Sequence, residues 1–372
     1  MKSPELSIIV PTYNESDNIT ELVHRLESCL PGVEWEVIFV DDDSTDGTAG
    51  VVREVSQHNP RVRCVHRIGR RGLSSACVEG ILATSAPYLA VMDADLQHDE
   101  KILPEMLRTA KEEEVDIVIG SRYVEGGGIG DWDSSRAKLS QLGTRVSTLV
   151  TKANLSDPMS GFFLMPRMTF DNSVRKLSTL GFKILVDIFA SSTRPLRFKE
   201  VPYHFRTRSM GESKLDNKVM WEFGMLLVDK LVGHIIPVRF VSFMIVGLFG
   251  VVPHMLTVWL MFNGLGFSFV LSQSVATLVA MTSNFALNNI LTYRDRRLSG
   301  WLWIRGWISF VLVCSIGAVA NVGVAQVVFV EQPYWVVASI AGILVGAVWN
   351  YFVTSLYTWS RRPTEAVKGT GT

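Results

Sequence analysis

YLAVMDADLQH, Tyr88 to His98, begins as an apolar run and then ends in two aspartates separated by a single residue. A buried strand that stops on Asp93 and Asp95 brings two like charges together, which an apolar interior does not tolerate unless they are compensated. A cation between them resolves the conflict. Carboxylates at i and i+2 in a turn can share a divalent ion that prefers hard oxygen ligands, Mg²⁺ or Mn²⁺, whose remaining ligands come from substrate phosphate and water. The side-chain oxygen of Gln97 can join them. An Asp-x-Asp triplet alone recurs by chance in surface loops; here the strand before it and the pattern around it give it weight.

That pattern repeats along the first half of the chain. SIIVPTYNE (Ser7 to Glu15) reads as a buried strand leading into a turn, and a helix then starts near Ser16 or Asp17 with Ile19, Leu22, Val23 and Leu26 on one face. WEVIFVDDDSTDGT (Trp35 to Thr48) is a second buried strand ending in acids. VRCVHR is a third strand, RRGLSSACVEGILATS a helix begun by glycine, YLAVMDAD the fourth strand, and VDIVIGSR (Val115 to Arg122) the fifth. Strands alternating with helices predict an α/β domain with a largely parallel sheet and ligands at the carboxyl ends of its strands. Polar residues collect at those ends: Tyr13 and Glu15, Asp41 and Asp42, Asp93 and Asp95, and Arg122. Neither a G-x-x-x-x-G-K-[ST] phosphate loop nor a G-x-G-x-x-G after the first strand is present, which argues against ATPase and dinucleotide-binding readings.

Each residue also has a purely structural reading. Asp41 can cap its turn through Ser44 and Asp46, Pro11 can end its strand, Tyr13 can be packing, and Arg122, Arg136 and Arg208 can be surface arginines. His66 and His98 read as bystanders.

Lys plus Arg and Asp plus Glu both number 36, so no excess of charge points to nucleic acid. The four cysteines show no paired spacing, which suggests neither a disulfide framework nor a zinc site and fits a reducing compartment. MKSPELSIIVPTYNE lacks the long apolar stretch of a secretory signal, so the first half is expected to fold in the cytoplasm.

Beyond Pro237 charges thin out. Four apolar segments follow, Phe240 to Phe262, Ser268 to Leu291, Gly306 to Val330 and Tyr334 to Thr358. Each is long enough to cross ~30 Å of hydrocarbon as a helix of ~20 residues. Arg239 precedes the first, YRDRRLSGWLWIR (Tyr293 to Arg305) joins the second to the third, and Arg361 and Arg362 follow the fourth, whereas the alternate loops contain no Lys or Arg. The positive-inside rule predicts a multi-pass protein of the cell membrane with its first half and both termini cytoplasmic. Trp301, Trp303, Trp307, Trp335 and Trp359 cluster near the expected interfaces. Asn284, Asn288, Asn289, Asn321 and Asn350 read as interhelical hydrogen-bonding residues ahead of a transport path. Between the halves, residues 215–236 place Val219, Met220, Phe223, Leu226, Leu227 and Leu231 at helical spacing. This helix lies along the membrane surface, packs on the soluble domain, or does both.

Taken together, IVPTYNE, VDDDSTDGT, MDADLQH, GSRY and GESKL resemble the inverting family 2 glycosyltransferases of GT-A (Rossmann-like) fold, and more narrowly the dolichyl- or polyprenyl-phosphate mannose synthases. The tail, from RFVSFMIVGLFG through NFALNNILTYR, resembles the GtrA-type four-helix membrane module fused to some of them. The resemblance implies a GT-A domain over residues 1–214, an interfacial helix region over 215–236, a four-span membrane domain over 237–362 and a disordered tail over 363–372. It implies that Pro11, Tyr13, Glu15, Val40 and Asp42 border the nucleotide, and that Asp93, Ala94, Asp95 and Gln97 form the metal and diphosphate site. It puts Arg122 against the phosphates, Arg136 and Ser140 at the lipid acceptor's phosphate, Arg208 and Lys214 over the donor diphosphate, and SDPMSGFF (Ser156 to Phe163) on the acceptor side. Asp43 stands where many family 2 enzymes have glycine, and Arg70 and Arg71 find no counterpart.

The activity so implied is transfer of mannose from GDP-mannose to a membrane polyprenyl monophosphate, with Mg²⁺ or Mn²⁺ as cofactor. Two alternatives stay open: a polyprenyl-phosphate glucosyltransferase using UDP-glucose, and a membrane glycolipid transporter carrying an inactive nucleotide-sugar-binding domain.

Overall fold

The computed structural model describes residues 3–128, 147–148, 150–151, 153–178, 183–206, 217–233, 236–331 and 335–359. The chain divides into two units, Met1–Val232 and Gly233–Thr372.

In the first unit the strands are β1 (Leu6–Thr12), β2 (Trp35–Asp41), β3 (Val62–His66), β4 (Tyr88–Val91), β5 (Ile117–Ser121), β6 (Phe163–Pro166) and β7 (Phe198–Pro202). The helices α1 (Ile19–Cys29), α2 (Thr48–His58), α3 (Leu73–Leu82) and α4 (Leu103–Glu112) alternate with the first five. Successive side chains on a strand point to opposite faces, so a strand apolar throughout needs cover on both sides. Ile8 and Val10 accordingly join Leu22 and Leu26 of α1 in one core, while Ile9, Ile38 and Val40 join Ala76, Cys77 and Ile81 of α3 in the other. Gly80 lets α3 come close: a Cβ there would lie 2.5 Å from Ile9 Cγ2 and 2.8 Å from Val40 Cγ2.

The seven strands lie in the order β3-β2-β1-β4-β6-β5-β7. The five expected strands are present, and two more complete the sheet. β6 spans only Phe163–Pro166, too short to show a period, and β7 is an edge strand carrying the charged Lys199 and Glu200. β6 runs antiparallel to both β4 and β5, while the other neighbouring pairs are parallel. The carboxyl ends of β1, β2, β4 and β5 therefore share one edge of the sheet. The segment that enters β6, Asp157 to Gly161, arrives at the same edge. Strand order reverses between β1 and β4, which is where an open α/β sheet forms its ligand crevice.

The helix Asn217–Val232 closes this unit. Packing on the soluble domain is present in this stretch: Leu226 and Leu227 are buried with Val150 and Val186. Lys230 Nζ lies 2.5 Å from Oδ1 of the fully buried Asp187 and donates to Ser191 Oγ at 2.8 Å. The side chains of Val219, Met220, Phe223 and Leu231 lie outside the described residues.

In the second unit, three helical stretches among the described residues are long and apolar enough to cross a membrane: Val238–Gly264, Phe269–Thr292 and Trp301–Val319, the last within a helix reaching Glu331. The fourth apolar segment forms the 23-residue helix Trp335–Tyr357, which holds no charged residue. Several polar groups in and beside these helices bond to one another, as hydrocarbon surroundings favour, although Asn284 Oδ1, Asn288 Oδ1 and Asn350 Oδ1 are buried without a hydrogen bond among the described residues. Ser242 and Thr292 share a hydroxyl bond of 2.8 Å, and Trp307 Nε1 donates to Thr282 Oγ1 at 3.0 Å. Asn289 accepts from Leu298 N–H at 2.8 Å and from Trp359 Nε1 at 3.2 Å, whereas Asn288 Nδ2 donates within its own helix to the Asn284 carbonyl. The Asn321 side chain lies outside the described residues.

Candidate active site

β4 ends the ladder with Met92 N–H donating to the Ile9 carbonyl at 3.2 Å, and the chain then folds into a tight acidic turn. Leu96 sits at φ +61°, a left-handed conformation that costs a bulky side chain roughly 1–3 kcal/mol. Asp95 closes the turn by accepting from Gln97 N–H at 3.2 Å. Asp95 is 9% exposed, while the Asp93 side chain remains 38% exposed. Gly161, just before β6, makes room for it: a Cβ there would stand 3.0 Å from Asp93 Oδ2. Gln97 ties the turn to the strand-like segment after β7, since its Nε2 donates to the Arg206 carbonyl at 3.0 Å and its carbonyl accepts from Arg206 N–H at 2.9 Å.

This donor set fits a Mg²⁺- or Mn²⁺-type ion. The two carboxylates supply hard oxygens, and the Asp93 side chain stays partly exposed. Among the described residues no three His, Cys, Asp or Glu side chains form a complete protein cage. Ions of this kind are commonly held by one or two carboxylates together with substrate phosphates and water.

His98, expected to be a bystander, is instead built into the turn. Its Nδ1 accepts from Asp93 N–H at 3.1 Å, and its Nε2 lies 3.8 Å from Asp93 Oδ2. The ring stacks on Phe162 at 5.1 Å and meets the edges of Tyr203 and Phe205 at 5.8 Å. Burial pushes the imidazole down to about 4, so it is neutral at pH 7.

At the end of β5, Arg122 is gripped by Asp157. Nε and Nη2 each donate to the carboxylate at 2.7 Å, and the Arg122 backbone N–H adds a third bond at 3.2 Å. Burial disfavours the guanidinium charge, but the bonds and charge of Asp157 outweigh it and hold Arg122 above its ordinary value. Asp157 is itself placed by Glu200 of β7, which accepts the N–H groups of Ser156 and Asp157 at 3.2 and 3.0 Å.

The residues expected at the nucleotide gather at the ends of β1 and β2. Pro11 pairs with Val40 in the ladder. Glu15 N–H donates to Thr48 Oγ1 at 3.0 Å, and its carboxylate accepts from Asn18 at 2.8 Å. Asp42 accepts from Arg67 Nη1 at 2.5 Å and from Gly72 N–H at 2.6 Å; burial raises its carboxyl above the usual range against both contacts. Asp41 takes the capping role, accepting from Ser44 N–H at 3.1 Å and from the Ser44 hydroxyl. Asp43 adopts φ +57°, which explains why glycine, aspartate or asparagine suits that position. Arg71, unassigned in the sequence, lies over the Tyr13 ring at 4.2 Å, while Arg70 pairs with Glu79.

The fold thus brings Pro11, Tyr13, Glu15, Val40, Asp42, Asp93, Ala94, Asp95, Gln97 and Arg122 to one sheet edge. Arg136, Ser140, Arg208 and Lys214 lie outside the described residues. Sequence reasoning passed over Arg67 and read His98 as a bystander, while Asp157 and Gly161 lie in SDPMSGFF, which the resemblance puts on the acceptor side without a role for either. His98 adjoins MDAD in sequence, but Asp157 stands 35 residues from Arg122, and only the sheet pairing brings them together.

The family model for glycosyl transferase family 2 matches residues 7–173, and that for the GtrA/DPMS transmembrane domain matches residues 242–359. A dolichol-phosphate mannosyltransferase of Pyrococcus furiosus is 33% identical over 360 residues, spanning 96% of this chain and 99% of that protein. The chain belongs to the dolichol-phosphate mannosyltransferase family. The family member from Saccharomyces cerevisiae is 36% identical over 230 residues, 59% of this chain and 85% of its own length. Among solved structures, glucosyl-3-phosphoglycerate synthase from Mycobacterium tuberculosis, with Mn²⁺, UDP and glucosyl-3-phosphoglycerate, overlays with a TM-score of 0.46 at 15% identity, over 62% of this chain and 79% of that one. Membership makes this chain a glycosyltransferase with a helical membrane domain.

Proposed function

We propose that the chain transfers mannose from GDP-mannose to a dolichyl or other polyprenyl monophosphate, with inversion at the anomeric carbon. The reading rests above all on identity to a dolichol-phosphate mannosyltransferase across both domains, over 96% of the chain. The acidic turn at the β1–β4 switch point supports it.

In this reading Pro11, Tyr13, Glu15, Val40 and Asp42 border the nucleotide, and Asp93, Asp95 and the Gln97 side-chain oxygen hold Mg²⁺ or Mn²⁺. When bound, the divalent cation supplies stabilisation of the charge that grows on the departing diphosphate. Arg122, fixed by Asp157, adds a permanent positive charge from β5, and Arg208 and Lys214 close over the donor. Arg136 and Ser140 orient the acceptor phosphate. A phosphate monoester with a second pKa near ~6 is already dianionic at neutral pH. It needs positioning more than deprotonation, so no carboxylate serves as an indispensable general base. The polyprenyl tail stays in the bilayer while the headgroup meets the site, with the catalytic unit and both termini on the cytoplasmic side.

The test offers radiolabelled GDP-mannose and UDP-glucose side by side with a short polyprenyl phosphate and Mn²⁺. Mannose transfer that disappears in Asp95→Ala is expected; preferred use of UDP-glucose overturns the donor, and near-normal turnover by Asp95→Ala overturns the metal site.

A further inference from the structure

His98 holds the backbone of Asp93. Its Nδ1 accepts the backbone N–H of Asp93 at 3.1 Å, which leaves the ring proton on Nε2. That second nitrogen lies 3.8 Å from Asp93 Oδ2, beyond hydrogen-bond length. One ring therefore fixes the backbone of the residue that carries the first carboxylate.

The ring has little freedom to move. It is 2% exposed, stacked on the fully buried Phe162 with planes 14° apart, and enclosed by Tyr203 and Phe205. Phe162 follows Gly161, whose missing Cβ leaves the space taken by the same Asp93 Oδ2. Asp93 Oδ2 is thus bounded by Gly161 on one side and by His98 Nε2 on another. Asp95 accepts the N–H of Gln97 within the turn.

We propose that His98 is a positioning residue of the divalent-cation site, holding Asp93 so that its carboxylate faces the same ion as Asp95. The inference rests on the reading that this turn holds Mg²⁺ or Mn²⁺. Outer partners that orient carboxylate or imidazole ligands typically change metal affinity about 10- to 100-fold when removed.

His98→Phe keeps a flat ring in the aromatic box and removes both nitrogens. His98→Gln keeps a donor near the Nε2 position, whereas His98→Asn keeps an acceptor near Nδ1. Full-length protein in detergent is titrated with Mn²⁺ in the presence of GDP, and free Mn²⁺ is read by electron paramagnetic resonance. GDP binding in EDTA is measured by calorimetry on the same samples. In His98→Phe we expect Mn²⁺ affinity to fall about 10- to 100-fold with metal-free GDP binding unchanged, and His98→Asn to recover part of the loss. Mn²⁺ affinity at the wild-type level in His98→Phe, whatever its melting temperature, overturns the proposal. So does an equal loss of metal-free GDP binding, which marks a collapsed site. If His98→Phe does not fold, tighter Mn²⁺ binding by His98→Asn than by His98→Gln supports the proposal, and equality or the reverse order overturns it. A wild-type protein that takes up no Mn²⁺ with GDP removes the cation reading itself, a result distinct from failure of the His98 variants alone.

Discussion

Arg122 and Asp157 meet through two parallel hydrogen bonds of 2.7 Å, with side chains 8% and 0% exposed. The arrangement joins the end of β5 to the segment entering β6, so it fixes an arginine of the sheet edge from the opposite direction of the chain. Breaking a buried pair by removing one partner leaves an uncompensated charge, at a cost of about 3–5 kcal/mol. Asp157→Ala should therefore lower the apparent melting temperature of the full-length protein more than the paired replacement Arg122→Met with Asp157→Leu. Melting curves of the three proteins check this; a single variant no less stable than the double would show that Arg122 finds water or another acceptor.

Much of this site could be read from the chain before any coordinates. β1, β2, β4 and β5 are apolar runs that end in polar residues, and such an end marks the ligand edge of an α/β sheet. Asp93 and Asp95 were legible for that reason, and the membrane helices because length and lack of charge suffice. What escaped depends on pairing between distant segments. β6 is short and antiparallel, and its insertion between β4 and β5 is what carries Asp157 to Arg122 and Gly161 to Asp93. His98 escaped because its surroundings come from Phe162, Tyr203 and Phe205, none of them near it in sequence.

Gly80 tests the packing of α3 on the sheet. A Cβ at that position meets Ile9 Cγ2 at 2.5 Å and Val40 Cγ2 at 2.8 Å, both on buried central strands that cannot easily withdraw. Overpacking of this kind costs about 1–3 kcal/mol. Gly80→Ala should melt at a lower temperature than wild type in a thermal scan, even though alanine has the higher helix propensity. An unchanged or raised midpoint would mean that the helix can lift from the sheet without loss.

Gly161→Ala tests the clearance under the acidic turn. The added methyl would stand 3.0 Å from Asp93 Oδ2, and the half-exposed Asp93 side chain, 38% accessible, can rotate aside. Folding should therefore change little while the two carboxylates lose their common aim. Mn²⁺ affinity measured by paramagnetic resonance should fall several-fold at nearly constant melting temperature. A large drop in melting temperature with unaltered Mn²⁺ binding would reverse the argument, assigning Gly161 to the fold and not to the site.

His98 also gives stability a pH dependence whose sign is fixed by its burial. The buried imidazole titrates at about 4 against 6.5 for an ordinary histidine. Between those values the unfolded chain binds a proton that the folded chain refuses, so stability rises with pH there. The contribution is fully present above the unfolded value and is lost as pH falls from about 6.5 toward 4, with a ceiling of roughly 3 kcal/mol. At pH 5 the wild type should have lost about 2 kcal/mol of it. His98→Phe has no proton to bind at that position, so the stability difference between wild type and variant should shift by that amount, to the detriment of wild type, between pH 7 and pH 5. Apparent unfolding midpoints of both proteins at the two pH values check this; a difference that stays constant would mean that the folded protein accommodates an imidazolium beside Asp93.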